Sequence, residues 1–377
     1  MRTKICDLFG IDLPIFAFSH CRDVVAAVSR AGGFGVLGAL AFTPEQLELE
    51  LRWIDEHVDG KPYGVDVVMP AKYEGSTQAD IGKADFEKMI PEGHKAFVKQ
   101  LLERYEIPPL PEGEQQESLL GWTHAGGQRH VDVSLAHPIK LLVNALGPPP
   151  PDVIEKAHEK GVKVAALVGT VAQARKQVEA GVDIIVAQGT EAGGHTGEIG
   201  TMVLVPEVVD AVSPIPVLAA GGIGCGRQVA AALCLGAEGV WTGSIWLAVK
   251  ESDYAPALKD KMFAASSSDT VRSRALSGKP ARQLKTAWTA AWDGKDSPGT
   301  LPMPLQFMLT SEAVARIFRS ALITTSPKAR EVLGTAVGQI VGRIKDSRST
   351  KDVIYSMTEE VIETMERMNA LMAAAEK

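Results

Sequence analysis

Short apolar runs rich in β-branched residues alternate with amphipathic stretches from Pro14 to about Trp246, the pattern of βαβ units around a parallel sheet. Strands are expected at residues 14–17, 34–37, 63–68, 140–144, 162–167, 183–187, 216–219 and 239–242. Between them, amphipathic segments at 22–31, 44–58, 151–160, 171–180 and 226–235 are each followed by glycine or a turn residue, as helices would be. Such a repeat can open into a doubly wound sheet or close into a barrel. No GxGxxG follows the first strand, which argues against a dinucleotide-binding sheet and for a TIM (β/α)8 barrel. In that fold the chemistry sits at the C-terminal ends of the strands.

Two stretches exceed a minimal barrel. After the third strand an insertion of about 71–138 carries a helical pattern at 94–105, a proline-rich turn at 108–111 and the pair Gly126-Gly127. It reads either as a lid on the substrate side or as a surface excursion packed on the barrel or a partner subunit. The expected division is a barrel at 1–250 and a mainly helical C-terminal extension at 251–377, with helical patterns at 311–322, 328–345 and 350–374.

Composition narrows the class of protein. The 377 residues are 45% hydrophobic with a formal net charge of −7, and no basic patch interleaved with aromatics appears, so nucleic acid is not an expected partner. No apolar run approaches the roughly 20 residues that span a bilayer, and the first residues lack the apolar core of a signal peptide; a cytoplasmic protein, and no membrane partner, is expected. Cys6, Cys21, Cys225 and Cys234 form no CxxC pair and read as reduced thiols in packed segments, not as a zinc site. A homo-oligomer is compatible with the composition.

The richest chemistry lies at 187–197, where an apolar run opens into Gln188-Gly189-Thr190-Glu191-Ala192-Gly193-Gly194-His195-Thr196-Gly197. Four glycines in nine residues indicate special backbone angles or close approach of a ligand, and His195 brings the one side chain whose ordinary pKa, about 6.5, suits proton transfer near neutrality. The turn Ala219-Ala220-Gly221-Gly222-Ile223, with a helix opening near Gly226, and the turn Trp241-Thr242-Gly243-Ser244 follow consecutive strands, the geometry in which backbone N–H groups cradle a phosphate. Phe16-Ala17-Phe18-Ser19-His20 places aromatic and small residues at the mouth of the first strand. His20 reads as a structural histidine and Cys225 as a packed thiol. Glu191 has no assigned role.

These segments, with Ala26 to Gly35 and the tail phrase Val337-Gly338-Gln339-Ile340-Val341-Gly342, resemble the nitronate monooxygenase family, formerly called 2-nitropropane dioxygenases. The resemblance implies an FMN-dependent TIM barrel in which His195, after Gly194, faces the flavin and the substrate as base or donor. It implies that Gly221, Gly222, Gly243 and Ser244 hold the FMN phosphate, that Ala17 and Phe18 lie against the isoalloxazine, and that Gln188 turns a polar group toward it. Two positions depart from the usual pattern: Phe18-Ser19 stands where methionine is usual, and Asp66 where asparagine is usual. A carboxylate accepts hydrogen bonds without donating them and opposes nearby negative charge, so Asp66 predicts a changed preference.

The reading is therefore an FMN-dependent oxidoreductase that oxidises small alkyl nitronates with O2. The alternative is a NAD(P)H-dependent flavin reductase of enoyl thioesters or quinones, and a third reading is a flavin-free barrel that binds a phosphate ligand.

Overall fold

The computed structural model describes residues 2–69, 83–111, 124–323 and 326–375. Eight parallel strands close into a barrel: β1 (Ile15–Ser19), β2 (Phe34–Gly38), β3 (Tyr63–Val67), β4 (Leu141–Asn144), β5 (Lys163–Val168), β6 (Ile184–Gln188), β8 (Val217–Ala220) and β9 (Gly239–Thr242). Between β6 and β8 the chain makes the two-residue strand β7 (Gly194–His195), which lies outside the barrel. The strands stand within two residues of the expected positions.

Each strand sorts its side chains by alternation. Phe16, Phe34, Val143, Val186 and Trp241 fill the lumen, while Ala17, Val65, Val67 and Ile185 pack outward against the helices. The helix Lys4–Phe9 plugs the N-terminal end, with Ile5, Cys6 and Phe9 buried and the Phe9 ring 4.8 Å from that of Phe34. The lumen is therefore closed below and open only above. Local signals fix the outer helices. Pro44–His57 begins with proline at its first turn and a reciprocal Thr43/Gln46 capping box, and Val171–Glu179 begins where Thr170 Oγ1 accepts from the Gln173 N–H.

Within the insertion, Gly126-Gly127 belongs to the helix His124–Ser134, which packs on Pro44–His57 as an ordinary outer helix of the barrel. The helix Glu92–Arg104 buries Val98, Leu101 and Leu102 against the tail helix Leu305–Ile323, and Arg316 donates to the carbonyls of Ile107 and Pro108 at 2.9 and 2.8 Å. None of the described insertion residues lines the cavity at the strand ends, so this part docks on the tail and is not a lid. Residues 70–82 and 112–123, also within the expected insertion, lie outside the described residues.

The tail differs from its helical pattern in two places. Strands β10 (Thr270–Ser273) and β11 (Ala281–Leu284) form an antiparallel hairpin, and β11 pairs with β7, Ala281 opposite His195 and Arg282 opposite Gly194. The expected helix at 328–345 runs only over Pro327–Val332, followed by an extended segment and the short 3-10 turn Gln339–Arg343. The cause is close packing: a Cβ on Gly338 would lie 2.6 Å from the Glu191 carbonyl oxygen. The final helix, Thr350–Ala375, covers the barrel beside the helix Gly226–Cys234.

Candidate active site

A cavity of about 320 Å³ opens at the C-terminal ends of the barrel strands, within the size range of small-molecule sites. Phe18 of β1, Asp66 of β3, Gln188 of β6 and Trp241 of β9 face it, joined by Gly194 and His195 from the loop after β6 and by Gly221, Gly222, Gly243 and Ser244 from the turns after β8 and β9. Nine of the ten residues singled out from the sequence thus surround one space. The tenth, Ala17, does not: alternation in β1 sends its side chain to the outer core while Phe16 and Phe18 point inward.

The loop carrying His195 is held from three directions. The Glu191 carboxylate accepts from the Thr201 N–H and from Thr201 Oγ1 at 2.9 Å, capping the helix Thr201–Val212. Arg282 Nε donates to the Thr190 carbonyl at 2.8 Å, and the Gln339 N–H donates to the Glu191 carbonyl at 2.9 Å. Gly193 permits the fit, since a Cβ there would lie 2.8 Å from the backbone of Val337 and Gly338. Glu191 is therefore a structural clamp. Its carboxylate is spent on Thr201.

His195 is half-buried, and its Nε2 lies 2.6 Å from the hydroxyl of the buried Ser277. Burial, reinforced by the positive charge of Lys279, pulls the imidazole down to about 4, so the ring is neutral at pH 7. Ser277, Tyr254, Leu276, Phe307 and the pair Thr335-Ala336 complete the wall from the tail. Sequence reasoning missed all of these. Only the phrase at 337–342, which threads beside the loop, hinted that the tail takes part.

In the turn after β8, beside this loop, Gly221 and Gly222 adopt φ of 103° and 69°, the left-handed region that other residues avoid. Gly222 lies outside the regular elements, and its N–H donates to nothing among the described residues. A Cβ on Gly243 would meet nothing within 4 Å, so this turn is open to a ligand, while Ser244 Oγ accepts from the Gly338 N–H at 2.8 Å. The helix expected to add its N-terminus does not: the Gly226 N–H donates to the Glu360 carboxylate of the final helix at 2.9 Å, and Gly226 lies off the cavity. An acidic side chain already takes that place.

His20 lines the cavity with its Nδ1 3.0 Å from the Gly38 carbonyl and its ring edge-on to Phe18; burial pushes its pKa down. Cys225 is buried at the start of the helix Gly226–Cys234 and does not line this cavity. Among the described residues no cluster of His, Cys, Asp and Glu could hold a metal ion, and no helix is long and apolar enough to cross a membrane.

A family model described as nitronate monooxygenase matches residues 3–360. The chain belongs to the nitronate monooxygenase family. A Mycobacterium tuberculosis protein named "Putative monooxygenase Rv1533" is 57% identical over 375 residues, covering 99% of this chain and 100% of that protein. Among solved structures, nitroalkane oxidase from Streptomyces ansochromogenes superposes with a TM-score of 0.78 at 26% identity, over 97% of this chain and 99% of the other. FabK from Thermotoga maritima superposes with a TM-score of 0.74 at 29% identity, over 98% and 99%. This member of the nitronate monooxygenase family is accordingly an oxidoreductase with a flavin cofactor. Its residues fit that group: open glycine turns on one side offer backbone donors to an anion, and the apolar faces of Phe18 and Trp241, 6.2 Å apart, offer a surface to a planar ring.

Proposed function

We propose that the chain is an FMN-dependent nitronate monooxygenase, with small alkyl nitronates as substrates and O2 as the electron acceptor. The observation that carries this reading is the neutral His195–Ser277 pair lining one largely apolar cavity together with the glycine turns. The bound flavin supplies an electron-accepting ring and the route by which electrons reach O2. The turns at Gly221-Gly222 and Gly243-Ser244 would hold the phosphate, and Phe18, Gln188, Gly194 and Asp66 would border the ring. Leu40, Leu146, Leu276 and Phe307 keep water from the reacting centre.

His195 orients the substrate. An imidazole held near pKa 4 keeps a proton poorly, so it is a weak base toward a neutral nitroalkane but an adequate partner for a substrate that arrives already ionised. Lys279, whose charge reaches the imidazole, adds a favourable field for such an anion.

The test is the visible absorbance of the protein loaded with FMN, recorded without oxygen. Bleaching by an alkyl nitronate alone is the expected result. Bleaching only by NADH or NADPH would instead support a reductase of enoyl thioesters or quinones. No flavin band after addition of FMN would overturn both and leave a flavin-free binding barrel.

A further inference from the structure

Asp66 is 4% exposed, lines the cavity at the end of β3, and makes no hydrogen bond or ion pair among the described residues; its Oδ1 is buried without a partner. Alternation fixes its direction, because Val65 and Val67 pack into the outer core and leave Asp66 facing the lumen. Gly38 of β2 and Val143 of β4 flank it in the sheet. The interior positions around it, Phe18, Leu167, Gln188, Ala220 and Trp241, carry no charge. Among the described residues the other titratable groups facing the cavity are His20, His195 and Tyr254, which hydrogen-bond to Gly38, Ser277 and Thr335 respectively, and none of the described lysines or arginines lines it.

An ionised carboxylate in such a place would lack both a counter-charge and a donor, a cost of several kcal/mol that the group avoids by keeping its proton. Burial accordingly raises the Asp66 carboxyl well above the ordinary carboxylate range. In that form it carries one O–H donor, which the ionised form lacks.

We propose that Asp66 works as a neutral carboxylic acid, a hydrogen-bond donor on the cavity wall that grips an acceptor atom of the flavin ring and releases it on ionising. The assignment rests on the flavin reading above. It changes the meaning of the departure from asparagine: a protonated aspartate donates as an amide would, but only below its own pKa. A ring that gains negative charge on reduction meets an O–H there, not a repelling carboxylate, so the same proton supports the reduced cofactor.

The experiment is titration of the cofactor-free protein with FMN, followed by flavin fluorescence between pH 6 and 9, for wild type and Asp66→Asn. Wild-type affinity is expected to fall by up to about tenfold per pH unit once the pH exceeds the Asp66 pKa of the free protein. Asp66→Asn is expected to bind with little pH dependence. An infrared difference spectrum of wild type minus Asp66→Asn, without FMN, should show the C=O band of a protonated carboxyl at pH 7.

A wild-type profile that stays flat through the pH at which the infrared carboxyl band ionises, an Asp66→Asn profile that falls with pH as wild type does, or carboxylate bands at pH 7 would each overturn the assignment while leaving the flavin reading intact. Failure of both proteins to bind FMN at every pH would overturn the flavin reading itself. Asp66 would then lose its proposed acceptor, whatever the infrared band showed.

Discussion

Ser277→Ala tests the link between the tail and the chemistry. The serine hydroxyl lies 2.6 Å from His195 Nε2, and the substitution removes that contact with almost no change in volume. Leaving a buried polar group without its partner costs about 1–3 kcal/mol. His195 is half-buried beside the cavity, where water can replace the hydroxyl, so the loss should fall toward the lower part of that range. About 1–2 kcal/mol corresponds to a roughly 5- to 30-fold drop in kcat/KM. The assay is steady-state oxidation of an alkyl nitronate, normalised to bound flavin. FMN content should stay at the wild-type level, because Ser277 belongs to the wall supplied by the tail and to neither glycine turn, and the loss should appear in kcat. Unchanged kcat/KM, or a loss explained wholly by missing flavin, would refute the claim that Ser277 sets the imidazole.

The electrostatics of His195 give two further expectations. The unfolded chain takes up a proton near pH 6.5 that the native ring refuses until about pH 4, so this residue makes stability fall as pH drops through that window. His195→Gln should flatten that part of the stability profile, as measured by urea unfolding, and an unaltered slope would show that the ring is not held neutral. Lys279→Met removes the charge that adds to burial, so the acid limb of the kcat/KM profile should move to higher pH; a limb that stays in place would exclude Lys279 as a cause. Gly193→Ala puts a methyl 2.8 Å from the backbone of Val337 and Gly338 and should destabilise the protein by about 1–3 kcal/mol, read as a lower melting temperature. An unchanged melting temperature would mean that the loop and the tail do not pack so closely.

The barrel was legible because its signals are local. An apolar run such as that of β3, with a turn before it, announces a strand without reference to the rest of the chain, and the capping box at Thr43 announces its helix. His195 and the turns at 221–222 and 243–244 were legible for the same reason, each being a small cluster directly after a strand. Ala17 stands apart from the other candidates by a rule that is also local. With Phe16 and Phe18 inward, the residue between them must face outward. The stretch at 328–345 misled differently. Glycines at 334, 338 and 342 recur every four residues, as small residues on one helix face would, but Gly338 and Gly342 meet the backbone or side chains of distant segments that a helix would not admit.

What sequence could not show is how the histidine is held. Ser277 stands 82 residues after His195, and β11 supplies the pairing that turns residues 194–195 into a strand. Neither β10 nor β11 announces itself: Thr270–Ser273 and Ala281–Leu284 are four residues each and carry polar or charged side chains at buried positions, with Arg282 at 8% exposure. That burial makes sense only once the Thr190 carbonyl and Thr270 Oγ1 are in place to accept from its guanidinium. A glycine-rich loop cannot fix an imbalance of so many free backbone angles by itself, since each ordered residue costs about 1–2 kcal/mol of conformational entropy. The clamps from Thr201, Arg282 and Gln339 offset that cost, and two of the three come from the tail. The candidate histidine is therefore written locally, whereas its position depends on contacts made across the whole chain.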